Sequence, residues 1–71
     1  MPRPRDYSAT ERVYDVIVSF IADNHYPPSQ IEIGDMLDKG RTAVAYHLQH
    51  LVADGRIRLV SGKKRGIVVI K

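Results

Sequence analysis

Two clusters in this sequence carry side chains of the types that engage a polyanion. The first is Gly40-Arg41-Thr42-Ala43-Val44-Ala45-Tyr46-His47-Leu48-Gln49-His50. Read as a helix from Thr42 to Asp54, it puts Val44, Leu48, Leu51 and Val52 on one face. Thr42, Tyr46, Gln49 and Ala53 fall opposite, flanked by Ala43 and His50, so the outward surface is small or hydrogen-bonding and has no carboxylate before Asp54. The second cluster is Ser61-Gly62-Lys63-Lys64-Arg65, three cations in a turn. A helix with a small, polar outer face beside a basic turn suits a DNA duplex: the helix reads base edges and the turn meets phosphates.

Within the first cluster each residue has a role and a plainer alternative. Thr42 is the expected N-cap, and Gly55 the residue past the C-terminus that takes positive φ. The Thr42 hydroxyl either caps alone or also offers itself to a phosphate at the helix N-terminus. Ala43 and Ala45 either let the helix approach base edges, their methyls meeting a thymine methyl, or are ordinary helix formers. Tyr46 donates to a phosphate or a base, against packing on its neighbours. Gln49 and His50, further along, suit backbone contact. In the turn, Lys63, Lys64 and Arg65 read as phosphate contacts, with Arg65 a candidate for the minor groove. Arg41, Arg56 and Arg58 add to this surface, or Arg56 and Arg58 only flank the turn as solubilising charges. His47 lies beside the core stripe and is expected half-buried and structural. His47 and His50 are three apart, but no third ligand is near in sequence, and no metal, cofactor or small-molecule ligand is expected.

Other function classes fare worse. There is no cysteine, which removes disulfides and thiol chemistry and fits a cytoplasmic setting. No nucleophile elbow, glycine-rich phosphate loop or pocketed carboxylate pair is present, so catalysis is not expected. The longest apolar runs, Val16-Ile17-Val18 and Ile67-Val68-Val69-Ile70, are far below the roughly 20 residues of a membrane span. The competing reading is a protein-interaction module binding an acidic partner, which would use an exposed apolar patch such as Val18 with Tyr14.

Charge is segregated along the chain. Residues 6–38 hold seven carboxylates against Arg12, net −6, whereas residues 39–71 hold eight cations against Asp54, net +7. A domain so polarised turns its basic half towards a polyanion and its acidic half away.

These clusters need a frame. At 71 residues the chain is one domain with one small core. Residues 1–7 read as a flexible basic arm and residues 8–71 as the folded unit. Ser8-Ala9-Thr10-Glu11 is a capping box opening a helix in which Val13, Val16, Ile17, Phe20 and Ile21 recur at helical spacing, fading at Asn24-His25. Tyr26-Pro27-Pro28 forces a turn. Ser29-Gln30-Ile31-Glu32 is a second capping box, starting a short helix with Ile33, Met36 and Leu37 inward and ending near Asp38. Asp38 to Arg41 is then a tight turn containing glycine, which is helix-turn-helix spacing. Ile57 to Val60 and Ile67 to Ile70 pair as a hairpin around the basic turn. The expected fold is mainly α with a small β-hairpin, a winged helix-turn-helix of three helices plus a two-stranded wing.

Tyr26-Pro27-Pro28-Ser29, Glu32-Ile33-Gly34, Tyr46-His47-Leu48 and Ile57-Arg58-Leu59-Val60-Ser61-Gly62-Lys63-Lys64-Arg65-Gly66-Ile67 resemble the N-terminal DNA-binding domain of LexA-type repressors. The similarity runs from about Ser8 to Ile70 and is most distinctive in the hairpin. The resemblance implies a winged helix, a homodimer on a palindromic operator in double-stranded DNA, and transcriptional repression. It also implies a self-cleaving C-terminal domain that a chain ending at Lys71 does not hold, so the expectation is a stand-alone module or an excised domain. In the turn and third helix this chain is one residue shorter than the family pattern. The base-reading positions fall on Gly40, Thr42, Ala43, Ala45 and Tyr46, of which only Ala43 is family-like, which implies a different operator sequence.

Overall fold

The computed structural model describes residues 7–71. Of the arm expected over residues 1–7, residues 1–6 lie outside the described part and Tyr7 is the first residue of a helix. The elements run α1 (Tyr7–Asn24), α2 (Gln30–Leu37), α3 (Arg41–Ala53), β1 (Ile57–Leu59) and β2 (Ile67–Val69). β1 and β2 pair antiparallel with Ile57 opposite Val69 and Leu59 opposite Ile67. This is a winged helix-turn-helix.

α1 starts two residues earlier than a Ser8 N-cap predicts, so Ser8 sits inside the first turn and not ahead of it. The Glu11 carboxylate reaches across the molecule to the Arg56 guanidinium. α1 buries Ala9, Thr10, Val13 and Ile17, while Val16, Phe20 and Ile21 are half-buried. His25 closes the helix at φ 66°, and Pro28 is buried in the turn that follows.

The second capping box forms as expected: the Ser29 amide donates to Glu32 Oε1 at 2.8 Å and the Glu32 amide to Ser29 Oγ at 3.1 Å. α2 directs Ile33 and Leu37 to the core. Met36, expected inward, is 48% exposed. A helix of 8 residues buries one narrow stripe, and Met36 lies off it, beside Val16 and Phe20 on the surface between α1 and α2.

The tight turn into α3 forms between Leu37 and Arg41 with Gly40 in it, as expected. The left-handed conformation falls on Asp38, at φ 53°, whereas Gly40 is extended at φ −74°, ψ 167°. The glycine that the turn requires is Gly34, inside α2. The Asp38 and Lys39 amides both return to the Gly34 carbonyl, and a Cβ built on Gly34 would stand 2.6 Å from the Lys39 carbonyl oxygen.

α3 is central to the core. Its Val44, Leu48 and Leu51 are fully buried with Val13, Ile17, Ile33, Ile57 and Ile67, and it touches α1, α2 and β1. Burying a Val or Leu side chain contributes roughly 1.5–3 kcal/mol, so these three positions outweigh any exposed ion pair, worth about 0–1 kcal/mol. Val52, expected in the stripe, is 36% exposed. His47 takes that flank instead: it is buried, and its Nδ1 lies 2.9 Å from the buried Thr10 Oγ1 of α1. A hydrogen-bonded partner on α1 rotates the buried stripe towards 44, 47, 48 and 51, which turns Val52 out.

The Gly34 contact gives a direct check on the turn. Gly34→Ala pushes a methyl into backbone that cannot yield without moving α3, and is expected to destabilise by roughly 1–3 kcal/mol. Urea unfolding followed by circular dichroism measures it; a midpoint equal to wild type would mean that the turn is not tightly constrained.

Candidate nucleic-acid interface

The outward face of α3 is set by the same rotation that buries its inner face. Gly40, Arg41, Thr42, Ala45, Tyr46 and Gln49 are exposed, and Ala43 and His50 are half-buried at its edges. Tyr46 is 49% exposed and packs edge-on against the His50 ring, centroids 4.5 Å apart, and the His47 ring at 5.2 Å. Its ring is thereby held against α3 while part of it faces solvent.

The N-terminus of α3 departs from expectation. Gly40, not Thr42, is the N-cap, because the Val44 amide already donates to the Gly40 carbonyl at 3.1 Å. Thr42 is therefore the second helical residue. No side chain caps this helix and no acidic residue lies in its first turn. The contrast with α2, whose first turn is closed by Ser29 and Glu32, is chemical. An uncapped helix start presents amide N–H groups and a partial positive charge to solvent, where an anion is favoured.

The wing tip folds back beside this end. Ser61, Gly62, Lys63, Lys64 and Arg65 are all exposed, and Gly62 takes φ 78° as the turn requires. Lys63, Lys64 and Arg65 line an open cleft of about 560 Å³ together with Arg41 of α3 and Ser29, Gln30, Ile31 and Glu32 of α2. The cleft thus brings the sequence-predicted Arg41 together with Lys63 and Lys64, which lie more than 20 residues further along the chain. Gln30 also lies at the wing base with Leu59, Val60 and Gly66. Sequence reading did not single out Ser29 or Gln30 for contact. The available signal was the capping box itself, which fixes where an α2 helix end must be.

The cations divide into two kinds. Arg56, one of the candidates, is committed elsewhere: it pairs with Glu11, with its guanidinium carbon 3.9 Å from the Tyr14 ring centroid. The hydrogen bond it donates to Glu11 is the first cause that raises its pKa above the ordinary arginine value. Tyr14 is consequently half-buried under Arg56, its hydroxyl donating to the Lys71 carbonyl. The exposed Tyr14–Val18 patch that a protein-binding reading calls for does not form, since only Val18 remains exposed. Arg65 is also engaged. It donates to Glu32 Oε1 at 2.5 Å, to Glu32 Oε2 at 3.2 Å and to the Pro27 carbonyl at 3.0 Å. The hydrogen bond from Arg65, and after it that from the Ser29 amide, holds the Glu32 carboxyl below the usual carboxylate range. Among the described residues, Arg41, Lys63 and Lys64 make no ion pair. Arg58 is exposed on β1, opposite Val68.

Among the described residues no three His, Cys, Asp or Glu side chains converge as a metal site, and no helix is long and apolar enough to cross a membrane.

Residues 8–66 match the family model for the LexA DNA binding domain. Over 58 residues the chain is 36% identical to the LexA repressor of Teredinibacter turnerae, covering 80% of this chain and 29% of that protein. It is 38% identical over 60 residues to the LexA repressor of Desulfatibacillum aliphaticivorans, covering 83% and 30%. Against the LexA repressor of Saccharophagus degradans it is 40% identical over 58 residues, covering 80% and 29%. The chain therefore spans less than a third of the length of these relatives. The matched span takes in the helix-turn-helix, the outward face of α3 and the whole turn of the wing, and the chain belongs to the LexA DNA-binding domain family.

Proposed function

We propose that this domain binds double-stranded DNA in a sequence-dependent way and serves a repressor-type transcription regulator, with α3 in the major groove and the wing along the adjacent backbone. The observation that carries this reading is the cleft in which Arg41, Lys63 and Lys64, none paired with a carboxylate, meet beside the uncapped start of α3. Three cations and a helix N-terminus converging on one surface have a polyanion as their natural counterpart.

The roles follow from position. Thr42, Ala45 and Tyr46 occupy the exposed face and read base edges, and Ala43 lets the helix approach closely. Gly40 and Arg41 present the helix start to a phosphate, and Gln49 and His50 contact the backbone further along. Lys63 and Lys64, with the Ser61 hydroxyl and Gly62 amide, hold the wing to phosphate. Two such domains docked on one face of a duplex would occupy a palindrome with half-sites a whole number of turns apart.

Selection from a random duplex library tests the reading first. An enriched inverted repeat is expected; enrichment of no sequence would leave only charge-driven binding. On the selected duplex, Tyr46→Ala is expected to lose roughly 1–3 kcal/mol while binding to random duplex is nearly unchanged. Equal losses on both would remove Tyr46 from base reading.

The wing is tested by salt. Replacing Lys63 and Lys64 together by alanine should lower the slope of log affinity against log salt by about two units, close to one per phosphate contact. An unaltered slope would take the wing out of the interface.

The open start of α3 is tested by closing it. The backbone of Gly40 (φ −74°, ψ 167°) nearly matches that of the capping Ser29 (φ −77°, ψ 165°). Gly40→Asp can therefore cap α3, raising stability by about 0.5 kcal/mol, and should weaken DNA binding by occupying amides and adding charge. Higher stability with unchanged affinity would show that no phosphate sits there.

A further inference from the structure

The wing strands are 3 residues each and pair only with one another, and a two-stranded hairpin has little stability of its own. Its base is held because Ile57 and Ile67 enter the core. Its tip, Ser61 to Arg65, is exposed throughout and buries nothing. The angle at which Lys63 and Lys64 stand beside α3 must be set by something else.

We propose that Arg65 is a positioning residue, latched to Glu32 so that the wing tip is held where Lys63 and Lys64 reach phosphate, and that it is not itself a phosphate contact. The inference rests on the DNA-binding reading above. Arg65 is the last exposed residue of the turn, followed by the buried Gly66, where a Cβ would stand 2.4 Å from the Val60 carbonyl oxygen. Its backbone is therefore closely placed. Its guanidinium forks onto both oxygens of Glu32, donates to the Pro27 carbonyl and lies over the Tyr26 ring at 4.6 Å and near the Phe20 ring at 5.9 Å. One side chain thus ties the wing to the end of α1, the proline turn and the start of α2. The receiving carboxylate is itself rigid, because Glu32 Oε1 also accepts the Ser29 amide in the capping box.

If Arg65 left for a phosphate, Glu32 would remain as an uncompensated carboxylate lining the cleft that the phosphates enter. That repulsion favours the latch staying closed on DNA. As a stability element the pair is minor, since its side chains are 41% and 36% exposed. Its effect is to hold the tip in its bound orientation before binding, which lowers the ordering cost of association.

Glu32→Gln separates the two accounts by sign. Glutamine keeps the capping box and removes a negative charge from the cleft. Were Arg65 a phosphate contact restrained by Glu32, the substitution would tighten DNA binding. The latch predicts weaker binding, roughly three- to tenfold, with the salt slope unaltered. Arg65→Lys keeps the charge but loses the fork and should give a similar loss, and the double variant should be no worse than either single one. Amide relaxation by NMR should report loosening at residues 61–65 in each variant, with α3 unchanged, which also confirms folding. Tighter binding by Glu32→Gln, additive losses, or an equally ordered wing tip would overturn the latch. A wild-type chain that binds no duplex would instead overturn the DNA reading on which the latch depends.

Discussion

The outward face of α3, the proposed reading surface, depends on the inner face of the helix being buried. Val44, Leu48 and Leu51 are inaccessible to water at the centre of the core, where α1, α2 and β1 meet. Each burial is worth more than any polar contact on the surface, so the rotation of α3 about its axis is decided from inside. The outward positions Thr42, Ala45, Tyr46 and Gln49 are exposed as a consequence. Burying the opposite face holds these positions in a fixed orientation, which the proposed reading of a duplex requires.

The two helix starts illustrate how similar backbone geometry is put to different uses. Ser29 and Gly40 have nearly the same φ and ψ. At Ser29 the side chain and Glu32 close the helix; at Gly40 there is no side chain to do so. The stability forgone at α3 is small, a few tenths of a kilocalorie to about 1 kcal/mol, and the first turn of α3 is left without a side-chain cap. Charge follows the same division. Glu11 and Glu32 each take an arginine from the basic half, fastening the C-terminal segment and the wing to the acidic helices. Of the cations lining the cleft, Arg65 is used in this way, while Arg41, Lys63 and Lys64 make no ion pair among the described residues.

Much of this was legible in the residues. The capping box at Ser29, the proline turn, the hairpin and the positive φ of Gly55 were readable because each rests on local chemistry, between residues no more than a few positions apart. The misreadings were of another kind. Thr42 was expected to cap α3, Met36 and Val52 to face inward, and His47 to be half-buried. The Thr10–His47 hydrogen bond between α1 and α3 decided His47 and Val52, whereas Met36 lies off the narrow stripe of α2 and the N-cap of α3 falls on Gly40. Periodicity places a stripe on a helix to within one residue either side, and a single buried polar partner settles which side.

Sequence alone determined the kind of molecule: a small basic-ended chain with three helices and a hairpin, a small-residue outer face on the third helix and cations at the hairpin tip. These follow from hydrophobic spacing, capping chemistry and charge order, which need no knowledge of how the elements meet. Only the tertiary structure decided which cations are free. Arg41, Arg56, Lys63, Lys64 and Arg65 are alike as residue types, and nothing local distinguishes them. Folding brings Glu11 within reach of Arg56 across 45 positions and Glu32 within reach of Arg65 across 33. A charge is available to a ligand only if the fold has not already given it a partner, and partners so far apart in sequence are set by packing.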